Sequence, residues 1–410
     1  MTKSKLWTKS FLLDATVNFL VYLVYYLLMV MIAGYAMSSL NASPSQAGLA
    51  VGVFIVGALV SRICAGSIID QVGRKRTLYI GLLVFLITTV MYFRATGLLI
   101  LCLIRFLHGI GFGITSTATG TLAANLVPAD RRGEGISYYA MSTTLASAVG
   151  PFLGMYLNQH VSFHSILILS VGLLVISYGA AFFLKVTEEK PQETVFYEKK
   201  FSASSFLEYR ALPIAATGAV VGFSYSSIMS FLSSYTSEIH LAEAGSFFFL
   251  VYSIAILISR PLTGKLFDLK NENYVMYPAF VLFAVGMAAL GQARHGFTLL
   301  AAAAFIGLGF GTFLSCGQAI AVKLAPSHRI GLATSTFLAI MDTGVGVGPF
   351  LLGILEPVVG FRSLYMSVAF IIIASMGMYY LLHGRTVSRI SPAGASGEVS
   401  VGKGRAYAEE

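Results

Sequence analysis

Residues 150–153 read Gly150-Pro151-Phe152-Leu153, and the same four residues return as Gly348-Pro349-Phe350-Leu351. The separation is 198 positions, and the register holds far beyond this tetrapeptide. Ser61-Arg62, Gly66 and Asp70 match Ser259-Arg260, Gly264 and Asp268. Gly109, Gly111 and Gly113 match Gly307, Gly309 and Gly311. Pro128, Arg131 and Gly133 match Pro326, Arg329 and Gly331, and Phe163 and Ser165 match Phe361 and Ser363. Apolar helices coincide by chance at Leu or Ala, but hardly at Pro, Arg and Asp in one fixed register. The chain is an internal duplication.

What is duplicated follows from composition. Of 410 residues, 56% are hydrophobic and only 11% charged, too few charges to cover a soluble surface. Thirty Phe and 21 Tyr would collapse, which excludes disorder. A helix crossing roughly 30 Å of hydrocarbon needs about 20 largely apolar residues. Twelve such stretches occur, near 13–34, 46–69, 77–93, 97–124, 136–157, 165–184, 211–232, 244–267, 274–291, 297–324, 332–355 and 363–383. They are too long and too continuously apolar to be barrel strands. The expected fold is therefore an all-α membrane protein of twelve spans. The first span is too long for a cleaved signal peptide and lacks a small-residue cleavage site.

The net charge of +9 raises the question of a nucleic-acid partner, and the positions of the cations exclude it. Twenty-one of the 27 Lys and Arg fall on one side of the spans and three on the other, leaving Arg62, Arg105 and Arg260 inside helices. By the positive-inside rule both termini are expected in the cytoplasm, as an even number of spans requires. The one long connection, 185–210, is polar and divides six helices from six. The organisation expected is an N-terminal half over 1–184, a cytoplasmic linker over 185–210, a C-terminal half over 211–383 and a disordered Gly/Ser-rich tail over 384–410. With six spans each, both halves enter the membrane from the same side, so they are parallel repeats about an axis along the membrane normal.

Three motifs carry a family resemblance. Gly66-Ser-Ile-Ile-Asp70-Gln-Val-Gly73-Arg74-Lys75-Arg76 resembles the loop signature between helices 2 and 3 of the major facilitator superfamily. Arg105-Phe-Leu-His-Gly109-Ile-Gly111 resembles the helix 4 signature associated with proton coupling. Ala146-Ser-Ala-Val-Gly150-Pro151-Phe-Leu-Gly154 resembles the antiporter signature of drug exporters. The resemblance spans residues 11–383 and is to bacterial drug:proton antiporters and related metallophore exporters. It implies two six-helix halves that rock about a cavity lined by helices 1, 4, 7 and 10. The first span lacks, from Met29 to Tyr35, the prolines common in drug exporters, which leaves the substrate open.

The residues suggest roles. Gly66 and Gly73 permit close packing and a tight turn, while Arg74 with its neighbours anchors topology. Asp70 can accept hydrogen bonds from a helix start and pair with cations. Symmetry places Asp70 opposite Arg329 and Gly331, and Asp268 opposite Arg131 and Gly133, two contacts that would lock the outward-open state. A carboxylate that alternates between wet and drier settings changes its proton affinity, as coupling requires. Asp342 and Asp14 are the candidates. Depth favours Asp342 and a cavity-lining helix favours Asp14. Asp342 also reads as a structural partner of Arg62 or of Arg105, which sits at similar depth in the opposite half, and Asp14 as an interfacial helix cap. His108, one turn from Arg105, is a proton carrier or a packing residue. Gly150 with Gly154, Gly348 and the prolines Pro151 and Pro349 suit close helix packing, and they suit the surface across which the halves rock.

From the cavity implied by the resemblance, Asn18, Tyr22, Tyr25, Thr115, Asn125, Tyr225, Ser226, Ser315 and Gln318 are expected liners, suited to an amphipathic organic solute. Cys64, Cys102 and Cys316 lie far apart within helices, so no disulfide or metal site is expected. No phosphate-binding loop or hydrolase motif occurs, so neither a cofactor nor enzyme activity is expected. The function expected is proton-coupled export of a small organic compound by a functional monomer in the inner membrane. A metallophore exporter is the alternative, ahead of a nutrient symporter or a non-transporting receptor.

Overall fold

A computed structural model describes residues 5–128, 131–185, 207–326 and 329–385, all as helix or short connections. In the first half α1 spans Lys9–Leu40, α2 Pro44–Val72, α3 Arg74–Met91, α4 Leu98–Leu126, α5 Arg132–His160 and α6 Phe163–Phe182. In the second, α7 spans Leu212–Glu238, α8 Phe248–Leu269, α9 Asn273–Gly291 and α10 Gly296–Leu324. The helix Ile330–Tyr379 is interrupted at Gly360, whose φ of 73° only glycine adopts readily, giving α11 (330–359) and α12 (361–379).

By length and composition, ten helices among the described residues can cross a membrane, with α11 and α12 merged into one and α5 below the apolar threshold. Separated at Gly360 and completed by α5, which is 29 residues long, they make the twelve expected from the sequence.

The ends are set locally. Thr8 caps α1 by accepting from the Phe11 amide, and Asn41 closes it in the left-handed region. Ser43 and Gln46 form a reciprocal capping box behind Pro44 at the start of α2. Between α2 and α3 the chain turns on Gly73 alone, at φ 93°.

The duplication is visible in the packing. A Cβ on Gly109 of α4 would stand 2.1 Å from the Phe54 carbonyl of α2, and one on Gly307 of α10 would stand 2.4 Å from the Tyr252 carbonyl of α8. Both positions and both partners are related by the same 198 residues. Each glycine lets two backbones meet where any side chain would separate them.

Between the halves, the close approaches lie toward the face opposite the termini. A Cβ on Gly48 or Gly52 of α2 would be 2.0 Å from the carbonyl of Pro349 or Gly346 on α11. On α5, Gln159 Nε2 donates to the Ala242 carbonyl (3.0 Å) and lies 2.7 Å from Ser246 Oγ. Phe152 packs on Phe247 with ring centroids 5.4 Å apart. The interface surface of α11 is therefore Gly346, Pro349 and Gly353. Gly348 points instead at α7, against Ser226 Oγ, and Gly150 and Gly154 of α5 pack on α1 at Leu23, Tyr26 and Leu27. These three serve packing within each half, because helix positions one or two residues apart face different neighbours.

Candidate functional site

Arg62 on α2 and Asp342 on α11 meet across the two halves, Nη1 to Oδ2 at 2.9 Å. Counting from the terminal face, Arg62 lies ten residues from the end of α2 and Asp342 twelve from the start of α11, roughly 15–18 Å in. Their side chains remain 34% and 27% exposed, although the far side is sealed. Gln159 supplies further side-chain hydrogen bonds between the halves at the far side. The pair thus lies at mid-depth between the halves with part of its surface exposed.

Aromatic rings build the walls beside it. Tyr25 of α1 stacks on Phe112 of α4 and Phe54 of α2, with centroids 4.6 and 5.2 Å away. Arg62 lies over the Phe112 ring at 5.7 Å. Tyr22 packs edge-on against Tyr25 and Phe112. In the other half Tyr225 of α7 stacks on Phe310 of α10 and Tyr252 of α8, at 3.9 and 5.9 Å. Phe54 and Tyr252, and Phe112 and Phe310, are duplicate positions, so one three-ring stack occurs twice.

Arg105 does not reach Asp342. It is fully buried within the first half, donating from Nε to the Ala50 carbonyl (3.0 Å) and from Nη1 to Tyr92 Oη (3.4 Å), with Nη2 3.3 Å from Met29 Sδ. It also lies 4.3 Å over the Phe54 ring. Beside it His108 bonds Thr89 and Tyr92 through its two ring nitrogens and stacks on Phe85. All these partners are neutral. The sequence left Arg62 and Arg105 as alternative partners of Asp342, and the direction each takes around its helix selects Arg62.

Asp14 is fully buried near the terminal end of α1, and neither carboxylate oxygen has a hydrogen-bond partner. It caps nothing, since Thr8 performs that role. One turn on, Asn18 is held inside the first half: its oxygen accepts from Tyr139 and Thr119, and its amide donates to Ser142 and Thr143. Those bonds fill its capacity, so Asn18 ties α1 to α4 and α5 and offers a ligand nothing. Thr115, Asn125, Ser226 and Ser315 each bond a carbonyl of their own helix. Gln318 is half-buried on α10.

At the terminal face Arg329 Nε stands 3.0 Å from Glu208 Oε2, an ion pair set off the line of an aligned hydrogen bond, and Nη2 donates to the Leu207 carbonyl. Glu208 is fully buried, and its amide donates to Thr336. The end of the connecting segment is thereby fastened to the start of α11. Glu272 is gripped by His383 and Lys323, both at 2.6 Å. Burial alone would raise its pKa, but these two hydrogen bonds outweigh it and hold the carboxyl below its ordinary range. Arg74 opens α3 and Arg131 precedes α5, both half-buried. The side chains of Gly66, Asp70, Asp268, Gly133 and Gly331 lie outside the described residues.

Comparison with known proteins agrees with this architecture. The family model described as Major Facilitator Superfamily matches residues 15–294 and 272–406. The staphylopine export protein of Staphylococcus aureus is 25% identical over 358 residues, covering 83% of this chain and 88% of that protein. An MFS-type transporter of Methanocaldococcus jannaschii is 24% identical over 352 residues, covering 83% and 90%. Among solved structures, a bacterial homologue of the lysosomal transporter Spinster, crystallised inward-facing and unoccupied, superposes with a TM-score of 0.78 at 14% identity, covering 96% of this chain and all of that one. The nucleoside transporter NupG gives 0.76 at 14% identity, covering 90% and 99%.

Proposed function

Because the chain belongs to the major facilitator superfamily, a family of multi-pass membrane transporters, we propose that it exports a small amphipathic organic solute in exchange for protons. The observation that carries this reading is the Arg62–Asp342 pair. It joins the two halves at mid-depth, it keeps part of its surface exposed, and Asp342 is the one acid bridging the halves among the described residues.

The termini lie in the cytoplasm of a cell whose inner membrane holds the protein, following the distribution of Lys and Arg. In this reading the space beside the pair is a cleft that opens inward. A solute entering it meets Tyr22, Tyr25 and Tyr225 as stacking surfaces and the ion pair as its polar floor. Asp342 takes a proton from outside in the outward-open state and returns it to the cytoplasm as the pair re-forms. A bound solute then displaces it from Arg62, so α2 and α11 lose their central tie and the halves rock outward again. The contacts of Asp70 with α11 and of Asp268 with α5 would latch that opposite state. Arg329 would exchange Glu208 for Asp70 as it forms. Arg105 and His108 stiffen the first half as a rigid body, and Asp14, buried without a partner, is a second place for a proton to reside. The protein works as a monomer, since the whole pathway lies between halves of one chain.

A second reading, that the solute is a metal-chelating metabolite, draws on the staphylopine export protein among its relatives. Reconstituted vesicles with an imposed pH gradient test both. Addition of the transported solute should release protons in the wild type and not in Asp342→Asn. If wild-type and Asp342→Asn fluxes were equal, proton coupling through this pair would be rejected.

A further inference from the structure

The duplication supplies an internal control for every charged residue, and one arginine fails to match its twin. Ser61-Arg62 on α2 and Ser259-Arg260 on α8 are equivalent, and both serines bond the equivalent carbonyl, Ser61 to Ala58 (3.0 Å) and Ser259 to Ile256 (2.9 Å). The two local frames are thus the same. Arg62 rests over Phe112 and holds Asp342. Arg260 is exposed, with no hydrogen bond, ion pair or ring contact from its guanidinium among the described residues.

Arg260 does not face lipid. The lipid surface of α8 carries Ile254, Leu257, Ile258 and Leu262, all exposed. At 100° per residue, Arg260 stands about 130° from the centre of that surface, on the side that carries Tyr252 and Ile256. A cation within a membrane helix is costly unless it meets a partner or a wet cavity. The two-fold relation between the halves identifies the missing partner. It carries Arg62 to Arg260 and Asp342 to position 144. That position is Thr144, half-buried on α5, whose hydroxyl makes only a 3.2 Å bond to its own helix at Ala140. Where the first arginine meets a carboxylate, the equivalent position for the second carries a neutral hydroxyl.

We propose that Arg260 and Thr144 form the anion-binding subsite for the transported solute. The solute is an organic anion whose carboxylate-like group takes the place that Asp342 fills in the other half. Its apolar or aromatic body lies against Tyr225 and Phe310, whose stack includes Tyr252, two turns before Arg260 on the same side of α8. This rests on the reading of the cleft as the solute site. It adds a charge sign to a reading that specified only amphipathic character. It also accounts for the difference between the two arginines: one has a resident counter-ion that can be protonated, and the other has one that travels.

Calorimetric titration of the full-length protein in detergent tests this with three probes of one shape and different charge. They are N-acetylphenylalanine (anion), its neutral amide, and phenylalaninamide (cation). The anion should bind at least about tenfold more tightly than the amide, equivalent to about 1.4 kcal/mol. Arg260→Ala should abolish that preference. So should Thr144→Asp, which supplies the absent carboxylate from within, and this variant should melt no lower than wild type. The proposal is overturned by charge-blind binding, by preference for the cation, or by an anion preference that survives both substitutions. Absence of saturable binding of all three by about 10 mM overturns it as well. The titration uses no gradient. Anion-selective binding without proton flux would therefore reject coupling and keep this subsite, and charge-blind binding with intact flux would do the reverse.

Discussion

The two halves share a backbone plan and differ most in how they fill its centre. In the first, Arg105, His108, Tyr92 and Thr89 form a buried hydrogen-bonded network. At the four equivalent positions of the second stand Ala303, Ile306, Leu290 and Met287, all fully buried. The surrounding frame accepts either filling, with the same glycine contacts at Gly109 and Gly307 and the same ring stacks. The network is therefore not what makes a six-helix half fold. Its cost in desolvation is met by satisfied bonds, and what it adds is a fixed arrangement of α2, α3 and α4. Duplication preserved the scaffold and left the charges free to diverge, so the asymmetries mark the functional positions.

Arg105→Ala should break this comparison hardest, lowering stability by about 3 kcal/mol because Tyr92 and the Ala50 carbonyl lose their donor and a cavity opens. Adding His108→Ile, Tyr92→Leu and Thr89→Met, which copies the second half, should recover most of that loss. Thermal unfolding in detergent would measure both. Next in size, Asp342→Thr copies Thr144 into the second half and should cut proton-driven efflux about 100-fold, roughly 2.7 kcal/mol in barrier. If efflux persisted, the difference between the two arginine sites would carry no coupling.

Gly52→Val should wedge the far-side seal where a Cβ has 2.0 Å, disfavouring the closed far side by about 2 kcal/mol. Cysteine labelling from the far side would report the opening. The smallest effect expected is Glu272→Gln, about 1 kcal/mol. Glu272 has a lowered pKa when folded, so its contribution is present at neutral pH and disappears as pH falls through that value, below 4.5. Stability of the wild type and variant should converge in acid. Convergence at alkaline pH instead would contradict the assigned grip by His383 and Lys323.

The sequence displayed the scaffold more clearly than the site. Twelve spans, the break between halves and the 198-residue register were readable because they depend on run length and on rare residues such as Pro and Gly. Depth was readable too, and it placed Asp342 at mid-membrane. What depth cannot supply is direction around a helix. Spans apolar on nearly every side have no polar stripe to orient them, so Arg62 and Arg105 looked alike as partners of Asp342. Asn18 looked like a cavity liner for the same reason, and it is a saturated internal tie. Arg260 could have been found from the duplication alone, by asking which residue of the first half answers each charge of the second.

The seal opposite the termini has a thermodynamic consequence. Backbone meets backbone at Gly48, Gly52, Gly346 and Gly353, and the added polar contact comes from an amide, Gln159. None of these groups gains or loses a proton in the physiological range, and none leaves room for a solute. The free energy of closing that face is then the same constant whatever the pH or the cargo. A ligand moves an equilibrium only by binding one state better than the other. The whole bias of the cycle must therefore be applied at mid-depth, where the carboxylate and the two arginines are, against a gate that is passive.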